Sequence, residues 1–306
     1  MELKERFGPI PDETGLRHRM RIHQGWWRAN VLNALPGAHP TRKDEKICNT
    51  IPDDGHAGRN FLNDQTLLAV NKTLAERNGS GAGMMEEDRL FHNLLSSQPL
   101  SFNFFGPLVM YGELGLRIIK KLWPEVTSLT AIHFESAPSN GPRPDNSAFD
   151  IALEVTIGDS PALIGLECKY TDSFSSTEYD KPAYRDLFKG SKFFHASYDE
   201  LKASKYNQLF RGQLLAERLL REGHYSIVRT GLFCHEMDES AIKTGRKFQG
   251  MLVDGDRAFS IVTYADFICA AQSLDLTWAE REWTMLLWAR YSGLSLSDNV
   301  HDALMG

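Results

Sequence analysis

Cysteine is scarce in this chain and never paired along it. Cys48, Cys168, Cys234 and Cys269 lie far apart with no C-x-x-C, so they read as reduced thiols of a cytoplasmic protein rather than a disulfide framework. Long apolar runs are missing too: no stretch of eighteen apolar residues occurs, and no membrane span is expected. The opening MELKERFGPIPDETG is charged from its second residue and lacks an apolar core, so no secretory signal is expected. Basic excess is also absent. With 40 acidic against 34 basic residues the net charge is −6, which excludes coating nucleic acid by bulk charge and leaves room only for a local basic groove. G-x-G-x-x-G, G-x-x-x-x-G-K-[ST] and G-x-S-x-G do not occur, so dehydrogenase, P-loop and serine-hydrolase chemistry have no support.

What is present is ordinary globular composition. The chain has 306 residues, 42% of them apolar and 24% charged, enough for one large domain or two modest ones. Turn formers and charges dominate the first sixty residues, which predict an irregular arm with one short helix. Leu67, Leu68, Val70 and Leu74 then mark a helix, and Met84 to Leu95 another, with Glu86 and Glu87 in its first turn. Pro99 and Pro107 bracket an expected turn, and GELGLRIIKKLW is a helix stopped by Pro124. From Leu129 the pattern changes to period two. LTAIHFES, AFDIALEVTI and ALIGLECKYT predict three strands; YSIVRTGLFCH and FSIVTY add two more, alternating with helices at Tyr206–Arg221, Ser240–Met251 and Ala265–Trp288. The expectation is an α/β or α+β fold: a mixed central sheet flanked by helices behind a helical or irregular N-terminal extension. We divide it as an arm over residues 1–83 and a main domain over 84–306, with one continuous domain as the alternative.

The chemistry concentrates on two neighbouring strands. In Phe149–Thr156 the apolar residues Phe149, Ile151, Leu153 and Val155 share one face, leaving Asp150, Ala152 and Glu154 on the other. In the next strand Glu167 and Lys169 project together, opposite Ala162, Ile164, Leu166 and Cys168. The loop GDSP is short enough for a hairpin, which brings Asp150 or Glu154 opposite Glu167. Two carboxylates beside a backbone carbonyl, here that of Cys168, form a hard-oxygen site suited to Mg²⁺ or Mn²⁺. A lysine two residues beyond Glu167 can hold water and stabilise charge on a phosphate under attack. Hydrolysis of a phosphodiester is the reaction that needs this set.

Asp150 followed by a strand ending in Glu167-Cys168-Lys169 resembles the D…(D/E)-x-K core of the PD-(D/E)XK nucleases, a superfamily of restriction and repair enzymes with a restriction-endonuclease-like fold. The resemblance covers roughly residues 84 to 235. Its proline-aspartate half is loose: Pro144-Asp145 exists, but Asp150 follows Phe149, and Asp150 is the preferred ligand. The resemblance implies metal binding by Asp150, Glu167 and the Cys168 carbonyl, and a water-positioning Lys169. Gln208, or else Gln213, on YNQLFRGQLLAERLL would assist, and Glu87, or Glu86, would add a carboxylate. It implies Mg²⁺ or Mn²⁺ as cofactor, DNA as partner and a homodimer by analogy. The alternative is a nucleic-acid-binding or protein-interaction module that keeps the fold without turnover.

One further cluster stands out. Arg17, Arg19, Arg21, His23, Trp26, Trp27 and Arg28 combine cations with indoles in a way that suits a phosphate backbone and its bases. The same pattern also fits an amphipathic segment docked by its tryptophans. Phe102, Phe104 and Phe105 read as core rather than as a stacking platform.

Overall fold

Two alternating apolar segments joined by a two-residue turn set the architecture. The computed structural model describes residues 3–8, 13–52, 57–76, 85–136 and 147–305. The loop carrying Pro144 and Asp145 lies outside them, as does the glycine-rich stretch after Glu76. Before the sheet come α1 (Gly15–Asn30), α2 (Asp64–Glu76), α3 (Glu87–His92), α4 (Ser97–Met110) and α5 (Gly112–Leu122). The sheet has β1 (Val126–Ser136), β2 (Phe149–Ile157), β3 (Ser160–Cys168), β4 (Ile227–Cys234) and β5 (Phe259–Thr263), hydrogen-bonded in that order. The first three strands run antiparallel and the last two add in parallel. Between β2 and β3 only Gly158 and Asp159 turn the chain. Gly158 has φ +60°, the left-handed conformation that the first central residue of a type II′ hairpin requires.

A parallel neighbour cannot be reached by a tight turn, so β3 and β4 are linked across the sheet face by α6 (Ser204–Arg221). Its Leu215, Ala216 and Leu219 pack on Ala152, Leu163 and Val228. The other sheet face, with Ile151, Leu153, Ile164 and Leu166, is covered by α4, α5, α7 (Tyr264–Gln272) and α8 (Trp278–Leu287). Each fully buried Leu, Ile or Phe there contributes roughly 1.5–3 kcal/mol. Helices thus lie on both sides of a mixed sheet, as expected.

Four expectations are corrected. Phe149 does not join Ile151, Leu153 and Val155; it packs with Ala152 and Leu163 on the opposite face. Gly165 makes this possible, because a Cβ there would collide with the Phe149 ring. The segment between Pro99 and Pro107 is helix, not turn: Pro99 lies in the first turn of α4, where an N–H is not needed, and Pro107 sits inside. Pro107 leaves the Asn103 carbonyl without its helical donor, and the Trp283 indole Nε1 supplies one at 2.9 Å. Phe102, Phe104 and Phe105 are buried core, as read. In the N-terminal arm α1 is a sixteen-residue helix rather than a short one. Finally, the helix expected over 265–288 is two, because Thr277 and Glu280 form a capping box that starts α8 afresh.

Candidate active site

Strand register brings three carboxylates level. Ile151 pairs with Leu166, so the next step along places Asp150 opposite Glu167. On the other side of β2, Phe134 pairs with Ile151 and Ser136 with Phe149, so Glu135 on β1 stands opposite Asp150. Glu135, Asp150 and Glu167 all line one cavity of about 490 Å³, together with Gln208 from α6. Glu154 is not part of it. It pairs with Leu163 and bonds His133 at 3.2 Å and the Tyr225 hydroxyl at 2.8 Å.

Lys169 is fixed from two sides. Its Nζ lies 2.9 Å from Glu167 Oε1 and donates to Gln208 Oε1 at 2.7 Å. Gln208 Nε2 in turn donates to Glu167 Oε1 at 3.2 Å, closing a ring of three side chains. Burial by itself lowers the affinity of Lys169 for its proton, but the carboxylates of Glu167 and Asp150 outweigh it and hold the group above the usual lysine range. It is an ammonium at neutral pH. Asp150 is the opposite case. Burial, then repulsion from Glu167 and Glu135, pushes its carboxyl well above the carboxylate range, although the Cys168 N–H donates to Oδ2 at 2.6 Å. Because the Lys169 N–H donates to the Phe233 carbonyl, strand alternation turns the N–H and C=O of Cys168 to the edge where Asp150 stands.

Asp150, Glu167, Lys169, Gln208 and the Cys168 backbone therefore converge. Gln213 does not; it is buried and accepts from the Thr230 hydroxyl at 2.6 Å. Glu87 is exposed on α3 and does not line the cavity, whereas Glu135 does. A short relay joins the two neighbourhoods: the Glu86 N–H donates to Gln98 Oε1 at 3.3 Å, and Gln98 Nε2 donates to Glu135 Oε1 at 3.2 Å. Glu135 has φ +47°, a conformation that costs a non-glycine residue about 1–3 kcal/mol and that clusters at functional sites. Strand β1 shifts register twice, between Val126 and Ser128 and between Leu129 and Ala131, and from Ala131 to Ser136 its pairing with β2 is unbroken.

The N-terminal basic cluster is corrected. Arg21 is buried and bonds Glu13 and Asn49; Arg28 is buried among the carbonyls of Cys48, Ala34 and Arg6; Trp27 is core. Arg19 is turned to Ser297, Leu294 and Asp298. These groups tie α1 to the rest of the fold. Arg17, paired with Glu13 at 2.9 Å, stays half exposed, and Trp26 stacks on His23.

The donor set fits a hard divalent cation. Three carboxylates gather at one partly buried site beside the Lys169 ammonium, and desolvation together with repulsion from Glu167 and Glu135 raises the Asp150 carboxyl. Among the described residues no group of three or more His, Cys, Asp or Glu side chains is placed to hold a metal ion. Two carboxylates, a backbone carbonyl and water are the ligand set such an ion accepts. Among the described residues, no helix is long and apolar enough to cross a membrane. The sequence profile of the PD-(D/E)XK nuclease superfamily matches residues 11–293. No curated protein and no solved structure matches the chain.

Proposed function

The chain belongs to the PD-(D/E)XK nuclease superfamily, and from that premise we propose that it is a divalent-metal-dependent nuclease that hydrolyses DNA phosphodiester bonds. The observation that carries this reading is the ring of Glu167, Lys169 and Gln208 beside Asp150. Asp150, Glu167 and the Cys168 carbonyl would hold Mg²⁺ or Mn²⁺, with Glu135 as a further carboxylate at the same level. Bound there, the cation supplies Lewis acidity at the phosphoryl oxygens and acidifies the attacking water. Lys169 would donate hydrogen bonds to that water and to the charge growing on the phosphate. Gln208 keeps Lys169 and Glu167 in one orientation by bonding both. The chain's four cysteines are free, which fits the cytoplasm that we assign to it.

Plasmid and oligonucleotide cleavage with Mg²⁺ or Mn²⁺ tests the reading. Lys169→Met and Glu167→Gln should each slow cleavage by about 10²–10³-fold while the protein stays folded. Ca²⁺ should suppress the reaction, since it occupies oxygen sites with looser geometry. Cleavage that persists in either variant sinks the proposal. So does a wild-type protein that binds DNA yet gives no heat with Mn²⁺ in calorimetry, which is the behaviour of a binding module without turnover.

A further inference from the structure

The cavity has two chemically opposite walls. One carries Glu135, Asp150 and Glu167; the other carries Tyr179, Lys181 and Arg211. The metal-dependent reading uses the first wall and leaves the second without a task. A chain of net charge −6 that binds a polyanion must do so through local cations. Arg19, Arg21 and Arg28 of the N-terminal helix are held by internal bonds, which directs attention to the cations of the cavity itself.

Arg211 follows Gln208 by three residues on α6, so both leave the same helix face, about 4.5 Å apart along the axis. Its guanidinium lies over the Tyr179 ring, 4.6 Å from the centroid, and Nη1 donates to the Ser147 hydroxyl at 3.0 Å. Tyr179 is anchored in turn, since Asn207 Nδ2 donates to its carbonyl at 3.1 Å. The Ser175 N–H donates to Gln208 Oε1 at 3.0 Å, so the stretch after Lys169 folds back onto α6 and delivers Tyr179 and Lys181 to the cavity. A planar cation already ordered against a ring and a hydroxyl loses little freedom when an anion arrives, and its fork matches phosphate oxygens two at a time.

Resting on the nuclease reading, we propose that Arg211, stacked on Tyr179, and Lys181 grip a backbone phosphate of the substrate strand next to the scissile one. Glu135, Asp150 and Glu167 would hold the cation that faces the scissile phosphodiester, and the basic wall takes the neighbouring phosphate directly. Strand position is then set by two unlike interactions a short distance apart.

The test is fluorescence anisotropy of a fluorescein-labelled single-stranded DNA oligonucleotide in EDTA, where no cleavage occurs, with Mn²⁺ calorimetry run in parallel. Arg211→Gln and Lys181→Gln should each weaken binding on the order of tenfold. Each should also flatten the plot of log affinity against log salt by about 0.7 for every phosphate charge no longer neutralised. Arg211→Lys, which keeps the charge without the fork, should restore the salt slope and only part of the affinity; it also serves if Arg211→Gln does not fold. Mn²⁺ heat should be unchanged in all three. Wild-type affinity and slope in folded Arg211→Gln and Lys181→Gln proteins overturn the proposal, and so does loss of Mn²⁺ heat in Arg211→Gln, which would make Arg211 a support of the acidic wall. Absence of Mn²⁺ heat in the wild type overturns the metal-dependent reading alone, because the phosphate grip is measured without metal.

Discussion

Gly165 and Glu135 show how single residues shape the site. Gly165 lets the Phe149 ring lie flat on β3 and form part of the cavity lining. Gly165→Ala should therefore cost about 1–3 kcal/mol in a denaturant titration and reduce oligonucleotide affinity, because the displaced ring must enter the cavity. Glu135 adds a third carboxylate whose charge repels that of Asp150. Glu135→Gln removes that repulsion, so the metal-free protein should gain roughly 1 kcal/mol while Mn²⁺ affinity measured by calorimetry falls about 10–100-fold. Unchanged stability and unchanged metal affinity together would remove Glu135 from the site. Glu167 and Lys169 are legible in the sequence because β3 alternates without interruption; Glu135 is not, because its place opposite Asp150 depends on the pairing of β1 with β2 and on its own positive φ.

Among the elements, α4 is the one that sequence rules misjudge. Two prolines argue for a turn, yet the segment is buried on every side and the tertiary fold provides what Pro107 takes away. Trp283→Phe keeps an aromatic ring but withdraws the donor to the Asn103 carbonyl. The unsatisfied buried carbonyl should cost about 1–3 kcal/mol, read as a lower midpoint in urea with an unchanged slope. A change in slope instead would mean that α4 and α8 no longer unfold with the rest. The restart of the chain at α8 is open to sequence reading, since Thr277-Trp278-Ala279-Glu280 is a capping box in plain view. Apolar periodicity on both sides masks it.

Across the whole molecule, the N-terminal helix is locked to the C-terminal segment by buried polar groups. His23 is fully buried on α1, with Nε2 2.9 Å from the Ala289 carbonyl and Nδ1 2.9 Å from the Ser297 hydroxyl. Gln24 and Arg290 bond each other nearby, and Arg290 bonds Asn60. Burial lowers the His23 pKa to about 4 from 6.5. The unfolded chain therefore takes up a proton below 6.5 that the folded one refuses, so stability is full above that value and falls as pH drops towards 4. The loss amounts to about 3 kcal/mol. His23→Gln should flatten the pH dependence of the unfolding midpoint over that window; a slope equal to that of the wild type would remove His23 as its source.

Side-chain alternation read from the chain is enough to establish that Glu167 and Lys169 project together, that Asp150 lies on the neighbouring strand, and that a glutamine-bearing helix follows. These are local consequences of strand period and hairpin length, which need no knowledge of what packs against them. That Asp150 rather than Glu154 meets Glu167 comes from the folded chain, because pairing register is a property of two strands. From the same source come the presence of Glu135 rather than Glu87 in the cavity lining and the burial of Arg21, Arg28 and Trp27. A guanidinium has the same composition in the core and at a groove; only the carbonyls and carboxylates folded around it determine which of the two it serves.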